Sequence, residues 1–247
     1  MKLAVTGKGG VGKTTLTAAL ALLFRRDGAR VIAVDADPDS NLAATLGFPD
    51  PGGIVSLGEM KDLIAERTGG DGGYGGFFKL NPRVDDIPEA YAPEHRGVRL
   101  LVMGGARKGG GGCVCPESAF LRALLAHVLF GREDVVLMDM EAGIEHLSRG
   151  TSQGVDALIA VVEPGRRSFE TVGRIRSLAG DLGIRRVFVV GNRMRGPEDE
   201  AYIREGVGES DLLGCIPYCR EAEAGVSDGV AGLVAPIKAN LVARLRK

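Results

Sequence analysis

The sequence predicts a doubly wound α/β fold, in which helices cover both faces of one mainly parallel β-sheet. Short runs of β-branched residues alternate with longer helical patterns along most of the 247 residues. Most of the strand-like runs are apolar on both faces, which is typical of strands buried between two layers of helices. The first of these runs leads into a glycine-rich loop and then into a helix, as expected for a phosphate-binding α/β domain.

The individual elements follow from the period of the apolar residues. The predicted strands are short apolar runs at Leu3–Thr6, Val31–Asp35, Leu100–Met103, Val135–Asp139, Leu158–Val162, Val187–Gly191 and Leu213–Ile216. The predicted helices are amphipathic segments at Lys13–Arg26, Glu117–Phe130, Ser168–Leu182, Glu198–Glu205 and Leu233–Leu245. The length suits one sizeable core, so we expect residues 1–247 to form a single domain.

Residues 48–97 interrupt the alternation of strands and helices. The segment Thr68–Gly76 contains six glycines, and glycine loses the most backbone freedom when it enters regular structure. We interpret residues 48–97 as a glycine-rich insertion between strands. It is either a flexible surface segment or a loop that faces a partner, since long loops in compact domains are often functional.

Composition limits the class of protein. The 31 lysines and arginines nearly balance the 32 acidic residues, so net charge gives no support for binding nucleic acid or an anionic membrane surface. No apolar run is long enough to span a membrane, and Met1–Thr6 is too short for a signal peptide. We therefore expect a cytoplasmic protein whose four cysteines are thiols or metal ligands rather than disulfides.

The loop after the first strand has the sequence pattern of an ATP-binding phosphate loop. The residues concerned are Gly7, Lys8, Gly9, Gly10, Val11, Gly12, Lys13, Thr14 and Thr15. They contain G-x-x-x-x-G-K-[ST] between a strand and a helix, which is the context this motif requires. The glycines let backbone N–H groups surround the phosphates at the helix N-terminus. Lys13 is placed to reach the β- and γ-phosphates, and the Thr14 hydroxyl suits Mg²⁺.

Acidic residues lie at the ends of two other predicted strands. Asp35, Asp37 and Asp39 lie at the end of one, and Asp139 ends another. Because ligands of open α/β sheets bind beyond the carboxyl ends of the strands, we expect these acids near the phosphate loop. Asp139 follows four apolar residues, which is the usual sequence context of the acid that holds a Mg²⁺-bound water. Asp35 is expected to support the coordination shell of the Mg²⁺ ion. Asp39 is the best candidate for a helix cap instead.

The segment after Asp139 is a candidate switch. It begins with Met140, Glu141, Ala142 and Gly143. The N–H of Gly143 is suited to sensing the γ-phosphate, as glycines of nucleotide switches do. We therefore predict that Glu141 and Gly143 belong to a nucleotide-responsive segment.

Cys113 and Cys115 form a C-x-C pair after four glycines. Such a loop can direct both sulfurs towards one ion, and Pro116 suits the first turn of the helix that follows. The helix N-terminus favours the thiolate form of Cys115. Two sulfurs do not complete a four-coordinate site, whereas a two-fold dimer would bring the same pair from each chain. The alternative is two free thiols or a redox pair.

The second loop lysine, Lys8, makes the pattern K-G-G-x-G-K-T, which resembles the deviant phosphate loop of a class of dimeric ATPases. The resemblance implies that Lys8 reaches the phosphates of the partner subunit, where it stabilises charge that develops in the transition state. It also implies that Asp37 orients the attacking water within the magnesium site, and that Asn192 and Pro217 lie beside the adenine. Members of the class usually carry an acid two residues after this proline, where the present chain has Cys219.

Three segments resemble the CooC-type accessory ATPases, which mature nickel carbon monoxide dehydrogenase and acetyl-CoA synthase. They are Gly7–Thr15, Gly109–Glu117 and Asp139–Thr151, and Phe77–Pro82 is also similar. Ser148 stands where the family is expected to have glycine. The resemblance implies an ATP-hydrolysing homodimer that supports nickel insertion into one of these clients. It further implies that Cys113 and Cys115 bind nickel or zinc between two subunits.

Two other functions remain open from the sequence. A partition or division-site ATPase would act on DNA or membranes and would need a basic face or a C-terminal amphipathic helix. Leu233–Lys247 is basic but lacks aromatic residues, so we interpret it as a packing helix. An iron–sulfur electron-transfer ATPase would carry cluster cysteines far apart in sequence, unlike the compact C-x-C pair.

Overall fold

The computed structural model describes residues 1–69, 77–104, 116–131, 135–141 and 149–246, with the backbone alone for residues 149 and 150. Within these ranges the chain forms one sheet of eight strands. The strands are β1 (Lys2–Gly7), β2 (Val31–Asp35), β3 (Glu94–His95), β4 (Val98–Val102), β5 (Val135–Asp139), β6 (Ala157–Val162), β7 (Val187–Met194) and β8 (Leu212–Pro217).

Helices connect the strands and cover both faces of the sheet. The α-helices in the described ranges are α1 (Lys13–Arg26), α2 (Leu42–Leu46), α3 (Lys61–Thr68), α4 (Ile87–Tyr91), α5 (Pro116–Phe130), α6 (Arg149–Ser152), α7 (Arg166–Leu182), α8 (Pro197–Val207) and α9 (Asp228–Leu245). Short 3₁₀ helices lie at Pro51–Gly53, Leu57–Glu59 and Arg220–Ala224. Among the described residues, no helix combines the length and apolar character needed to cross a membrane.

The strand order is β3-β4-β2-β5-β1-β6-β7-β8. All neighbouring strands are parallel except β3, which pairs antiparallel with β4 at one edge. The predicted fold class, a doubly wound and mainly parallel sheet, is therefore confirmed.

The sheet separates two apolar cores. Alternate residues of β1 illustrate this, because Leu3 and Val5 belong to one core and Ala4 to the other. The first core is completed by α1, α2 and α9, and the second by α3, α5, α7 and α8. Both faces of each central strand are thus buried, which explains why the strand sequences are apolar throughout.

The C-terminal helix begins earlier than the sequence predicts. Its N-cap is Ser227, whose side chain accepts a hydrogen bond from the Val230 N–H at 3.3 Å. This cap starts α9 at Asp228, five residues before the predicted Leu233. The apolar side of α9, including Val230 and Leu241, is buried in the first core. The helix is therefore a packing helix.

The described parts of residues 48–97 include two helices, α3 and α4, whose apolar residues are buried in the second core. Leu63 and Ile64 of α3 and Ile87 of α4 are buried in the second core with Phe120 of α5. The sequence analysis missed α3 and α4 because it weighed the glycines of the whole segment. Those glycines are concentrated in 69–76, and residues 70–76 lie outside the described ranges.

The parallel arrangement brings the functional candidates to one edge of the sheet. β5 lies between β1 and β2, and their register places Asp139 opposite both Val5 and Asp35. The phosphate loop follows β1 at this same carboxyl edge. Ligands of doubly wound sheets bind at this edge, so the fold assembles one site from distant parts of the chain.

A glycine-to-alanine substitution tests the packing of α5 against the α6–β6 connection. A Cβ at Gly154 would lie 2.8 Å from the Cβ of Leu129 and 3.3 Å from its carbonyl atoms. Because these atoms belong to a buried helix and cannot swing away, we expect Gly154→Ala to lower the free energy of unfolding by about 1–3 kcal/mol. Urea denaturation measures it.

The matched control is Gly173→Ala in α7. A Cβ at Gly173 meets no described atom within 4 Å, so the better helix propensity of alanine should raise the free energy of unfolding by up to about 1 kcal/mol. Equal stability of Gly154→Ala and the wild type would show that α5 and α6 are not rigidly packed here.

Candidate functional site

The phosphate loop depends on glycine at two positions where it touches neighbouring strands. Gly7 has φ +154°, and a Cβ there would lie 2.5 Å from the Val161 carbonyl oxygen of β6. Gly12 has φ +94°, and a Cβ there would lie 2.2 Å from Nδ2 of Asn192. Both the backbone conformation and the space exclude a side chain. The loop is consequently held close against β6 and β7.

Lys13 lies across the loop and is almost fully buried. Its Nζ donates to the Lys8 carbonyl oxygen at 3.5 Å and lies 3.8 Å from Oδ2 of Asp37. The side chains of Lys13 and Asp37 are only 6% and 14% exposed, so water screens their attraction less than at an open surface. Asp37 is thereby brought beside the lysine that is expected to bind phosphate.

Asp139 and Thr14 form the second polar contact of the loop. The Thr14 hydroxyl donates to Oδ2 of Asp139 at 2.6 Å. Asp139 is fully buried, and its Oδ1 has no hydrogen-bond partner among the described residues. Burial, together with the nearby charges of Asp35 and Asp37, raises the pKa of Asp139 to about 7, against the lowering effects of Thr14 and Lys13.

Asp35 is also fully buried and organises the turn between β2 and α2. Its Oδ2 accepts from the Leu42 N–H at 3.0 Å and its Oδ1 from the Asp37 N–H at 3.2 Å. Burial raises the pKa of Asp35 to about 6, although these two backbone hydrogen bonds lower it. Asp35 therefore positions Asp37, and its predicted part in the magnesium shell stays a prediction.

The helix-cap alternative for Asp39 is wrong. Asp39 is exposed, and its own N–H donates to Oδ1 of Asp37 at 3.1 Å. The first N–H of α2 is satisfied by Asp35 instead, while Asn41 at the N-cap makes no side-chain capping bond. Asp35 accepts this hydrogen bond because its buried carboxylate lies at the end of β2, next to the N-terminus of α2.

The acidic cluster fits a magnesium ion that is shared with nucleotide phosphates. Asp139 offers a buried oxygen without a partner, and Thr14 offers a hydroxyl beside it. Carboxylate and hydroxyl oxygens are hard ligands that suit Mg²⁺, which is commonly held by one or two carboxylates plus substrate phosphates. No group of three or more His, Cys, Asp and Glu side chains in the described ranges is arranged to hold a metal alone.

A cleft of about 200 Å³ opens beside the phosphate loop, and its wall includes both predicted adenine-side residues, Asn192 and Pro217. Asn192 donates from Nδ2 to the Val11 carbonyl oxygen at 2.7 Å, so it also braces the loop. Small molecules and cofactors usually bind in concave clefts that combine apolar walls with a few polar groups. The cleft is therefore well placed for a nucleoside whose phosphates lie in the loop.

The base end of this cleft contains residues that the sequence analysis did not select. Cys219 lines it at the position where an acid was expected, and Tyr218 and Glu223 line it as well. The Tyr218 hydroxyl donates to Oε1 of Glu223 at 3.1 Å. No sequence motif marks Glu223, because it comes from a 3₁₀ helix that only the fold brings to the cleft.

The remaining predicted residues divide into two groups. Lys8 is exposed at the phosphate loop, and Glu141 is exposed after β5, with its carbonyl oxygen accepting from the Thr6 hydroxyl at 2.7 Å. Gly143, Cys113 and Cys115 lie outside the described residues. Their proposed roles stay predictions.

Comparison with known proteins agrees with this geometry. A family model described as the CobQ/CobB/MinD/ParA nucleotide binding domain matches residues 2–230. The carbon monoxide dehydrogenase accessory protein CooC of Rhodospirillum rubrum is 47% identical over 94% of this chain and 89% of its own length. An uncharacterized ATP-binding protein of Methanocaldococcus jannaschii is 44% identical over 90% of this chain and 86% of its own length.

Among solved structures, the MinC:MinD cell division protein complex of Aquifex aeolicus contains a chain with the same fold. It superposes with a TM-score of 0.68 and covers 98% of this chain and 96% of that chain. Sequence identity is 21%, so this likeness concerns the fold alone.

The raised pKa of Asp139 predicts how pH changes stability in the absence of magnesium and nucleotide. Burial keeps Asp139 protonated in the folded protein up to a pKa of about 7, whereas the ordinary pKa of an aspartate side chain is 3.8. The stabilisation from this proton is present at low pH and is lost as pH rises through 7. Asp139→Asn should therefore gain on the wild type in free energy of unfolding between pH 5 and pH 8, by at least about 1 kcal/mol.

Urea denaturation at the two pH values measures this gain, and the exposed Asp39→Asn serves as the control that should show none. A constant difference between Asp139→Asn and the wild type across this range would contradict the assignment of a buried, protonated Asp139.

Proposed function

This chain belongs to the CobQ/CobB/MinD/ParA family of nucleotide-binding proteins and is an ATPase of the CooC type. On that premise, we propose that it supports nickel insertion into carbon monoxide dehydrogenase or acetyl-CoA synthase. The observation that carries the proposal is the similarity to a carbon monoxide dehydrogenase accessory protein along nearly the whole chain. We further propose that it works in the cytoplasm as a homodimer linked to nucleotide and metal.

The site residues suit hydrolysis of ATP to ADP and phosphate. Backbone N–H groups of the phosphate loop and Lys13 would bind the phosphates at the N-terminus of α1. Thr14 and Asp139 would hold Mg²⁺, which neutralises phosphate charge when bound. Asp37 lies beside Lys13, where its carboxylate would accept a hydrogen bond from the attacking water and orient it.

The exposure of Lys8 supports a role across a dimer interface. Lys13 is buried within its own loop, whereas Lys8 is exposed and forms no ion pair among the described residues. A cation that arrives from a second subunit would stabilise the charge that develops on the transferring phosphoryl group. ATP hydrolysis would then require two chains.

Nickel is proposed as the cargo of a thiolate site at Cys113 and Cys115. Two sulfurs from each of two chains provide four ligands, which suits zinc in a tetrahedral array and nickel in a square-planar one. Both β4 and α5, which flank this segment, have their adjoining ends at the carboxyl edge of the sheet. A dimer formed through that edge would bring the two cysteine pairs together.

The proposed trans role of Lys8 predicts different effects for the two loop lysines. Lys8→Ala should bind ATP with nearly wild-type affinity but lose most hydrolysis, by at least about tenfold, because its charge acts only in the transition state. Lys13→Ala should weaken both binding and hydrolysis. Nucleotide titration and phosphate release measure the two properties.

The exposed Lys61→Ala in α3 is the matched control and should keep both properties. Wild-type turnover by Lys8→Ala would remove the second lysine from the mechanism and leave an ordinary phosphate loop.

The metal proposal predicts one nickel or zinc ion per dimer. Cys113→Ser combined with Cys115→Ser should abolish tight binding of either ion and leave ATP binding intact, because the phosphate loop is a separate segment. The same variant should fail to support nickel-dependent activation of a nickel-free client dehydrogenase. Metal analysis with sedimentation gives the stoichiometry, and carbon monoxide oxidation gives the activation.

Cys219→Ser is the control for the loss of a thiol, since Cys219 lines the nucleoside cleft rather than the C-x-C segment. One ion per monomer, or unchanged metal binding by the double variant, would reject the shared site. Client activation without ATP or without this protein would reject the maturation function.

A further inference from the structure

The turn between β3 and β4 holds an arginine in a backbone conformation that arginine seldom adopts. Arg96 and Gly97 alone connect the two antiparallel strands, and their φ angles are +52° and +76°. Two-residue hairpin turns with a positive φ at both residues favour asparagine followed by glycine. A positive φ at arginine costs free energy that other contacts of the residue must offset. Because strained residues are concentrated at functional sites, Arg96 is a candidate for a functional role.

The Arg96 guanidinium holds the segment that leads into α9. Its Nη1 donates to the Val226 carbonyl oxygen at 2.9 Å. Its Nη2 lies 3.6 Å from Oδ1 of Asp228, the first residue of α9. Arg26 of α1 pairs with the same carboxylate. Hydrogen bonds from a charged guanidinium are stronger than those between neutral groups, so the β3–β4 hairpin is firmly attached to the start of α9.

Val226 connects this contact to the nucleoside cleft. Its N–H donates to the Thr45 carbonyl oxygen of α2 at 3.1 Å, while its own carbonyl oxygen accepts from Arg96. Thr45 and Gly225 line the cleft, and so does Val230 in the first turn of α9. A Cβ at Gly225 would lie 3.4 Å from the Thr45 carbonyl oxygen, so these two parts of the wall are close together. A continuous set of hydrogen bonds thus runs from Arg96 to the cleft wall.

The hairpin also contacts the element that carries Thr45. The centroid of the His95 ring in β3 lies 5.2 Å from the centroid of the Phe48 ring. Phe48 follows α2, and its N–H donates to the Ala43 carbonyl oxygen of that helix at 3.1 Å. One hairpin therefore contacts both α2 and the start of α9, which together form this part of the cleft wall.

We propose that Arg96 is a positioning residue for nucleotide binding. By fixing Val226, it holds Thr45 and Gly225 in the wall that receives the nucleoside. This role rests on the proposed function, in which the nucleoside of ATP occupies the cleft while its phosphates bind in the phosphate loop. The wall then contributes equally to binding the substrate and the transition state. Through Arg96, the insertion formed by residues 48–97 would take part in binding ATP.

Arg96→Asn tests this role, because it removes the guanidinium and keeps a residue that suits the turn. The hairpin should remain folded while Val226 loses its hydrogen bond. We expect the KM for ATP to rise about threefold to tenfold and kcat at saturating ATP to stay unchanged, because only uniform binding is lost. ADP should bind more weakly by the same factor. Tripolyphosphate, which lacks a nucleoside, should inhibit the variant and the wild type equally.

Arg99→Gln is the matched control, because it removes another arginine of the same hairpin and changes the net charge by the same amount. Arg99 pairs with Glu89 of α4 at 3.0 Å and with Glu94 of β3 at 3.4 Å, and these contacts involve neither α2 nor α9. Its KM for ATP should equal that of the wild type. Phosphate release at varied ATP gives KM and kcat, nucleotide titration gives the affinity for ADP, and urea denaturation verifies that both variants are folded.

The outcomes separate the role of Arg96 from the function on which it rests. A higher KM for ATP in Arg96→Asn alone, with kcat and tripolyphosphate inhibition unchanged, would support the positioning role. A wild-type KM in this variant would overturn it, as would an equal loss of tripolyphosphate inhibition or an equal rise of KM in Arg99→Gln. A wild-type chain that binds ATP no more tightly than tripolyphosphate would instead reject the nucleoside cleft itself.

Discussion

The site is organised around two carboxylates that are buried where β2 and β5 end side by side. Asp35 and Asp139 stand opposite each other in the sheet register, and burial raises the pKa of both. A buried acid without enough cations nearby costs free energy unless it is protonated or compensated. Thr14 and Lys13 supply part of that compensation. Magnesium and nucleotide would supply more, so ligand binding and the charge state of the site are coupled.

The phosphate loop is connected by hydrogen bonds to the elements expected to sense the ligand. Asn192 at the nucleoside cleft donates to Val11 of the loop, and Thr6 before the loop donates to the carbonyl of Glu141. Movement of the loop on binding phosphate would therefore reach both the cleft and the segment after β5. These contacts give a physical route between nucleotide state and the face through which we propose that two chains meet.

Under the proposed metal site, the C-x-C segment would give the same face a second role. Met103 and Gly104 follow β4, and Pro116 begins α5. The two ends remain close, since a Cβ at Gly58 would lie 3.1 Å from the carbonyl oxygen of Met103 and 3.2 Å from the Glu117 carboxylate. The two ends of the cysteine segment, at Gly104 and Pro116, therefore both lie at the carboxyl edge of the sheet. Nucleotide and metal would act on one dimer interface rather than on separate surfaces.

Sequence alone determined the fold class, the phosphate loop and most strand positions, because these depend on local patterns of glycine and apolar residues. It missed α3 and α4, whose apolar residues are buried where α3 packs on α5 and α4 packs on β4. It also named Asp39 as the best candidate for a helix cap, whereas Asp35 accepts the first N–H of α2. Only the tertiary structure decided which acids share a site and brought Glu223 to the cleft. Those features depend on the order in which distant strands pair, and local sequence does not encode that order.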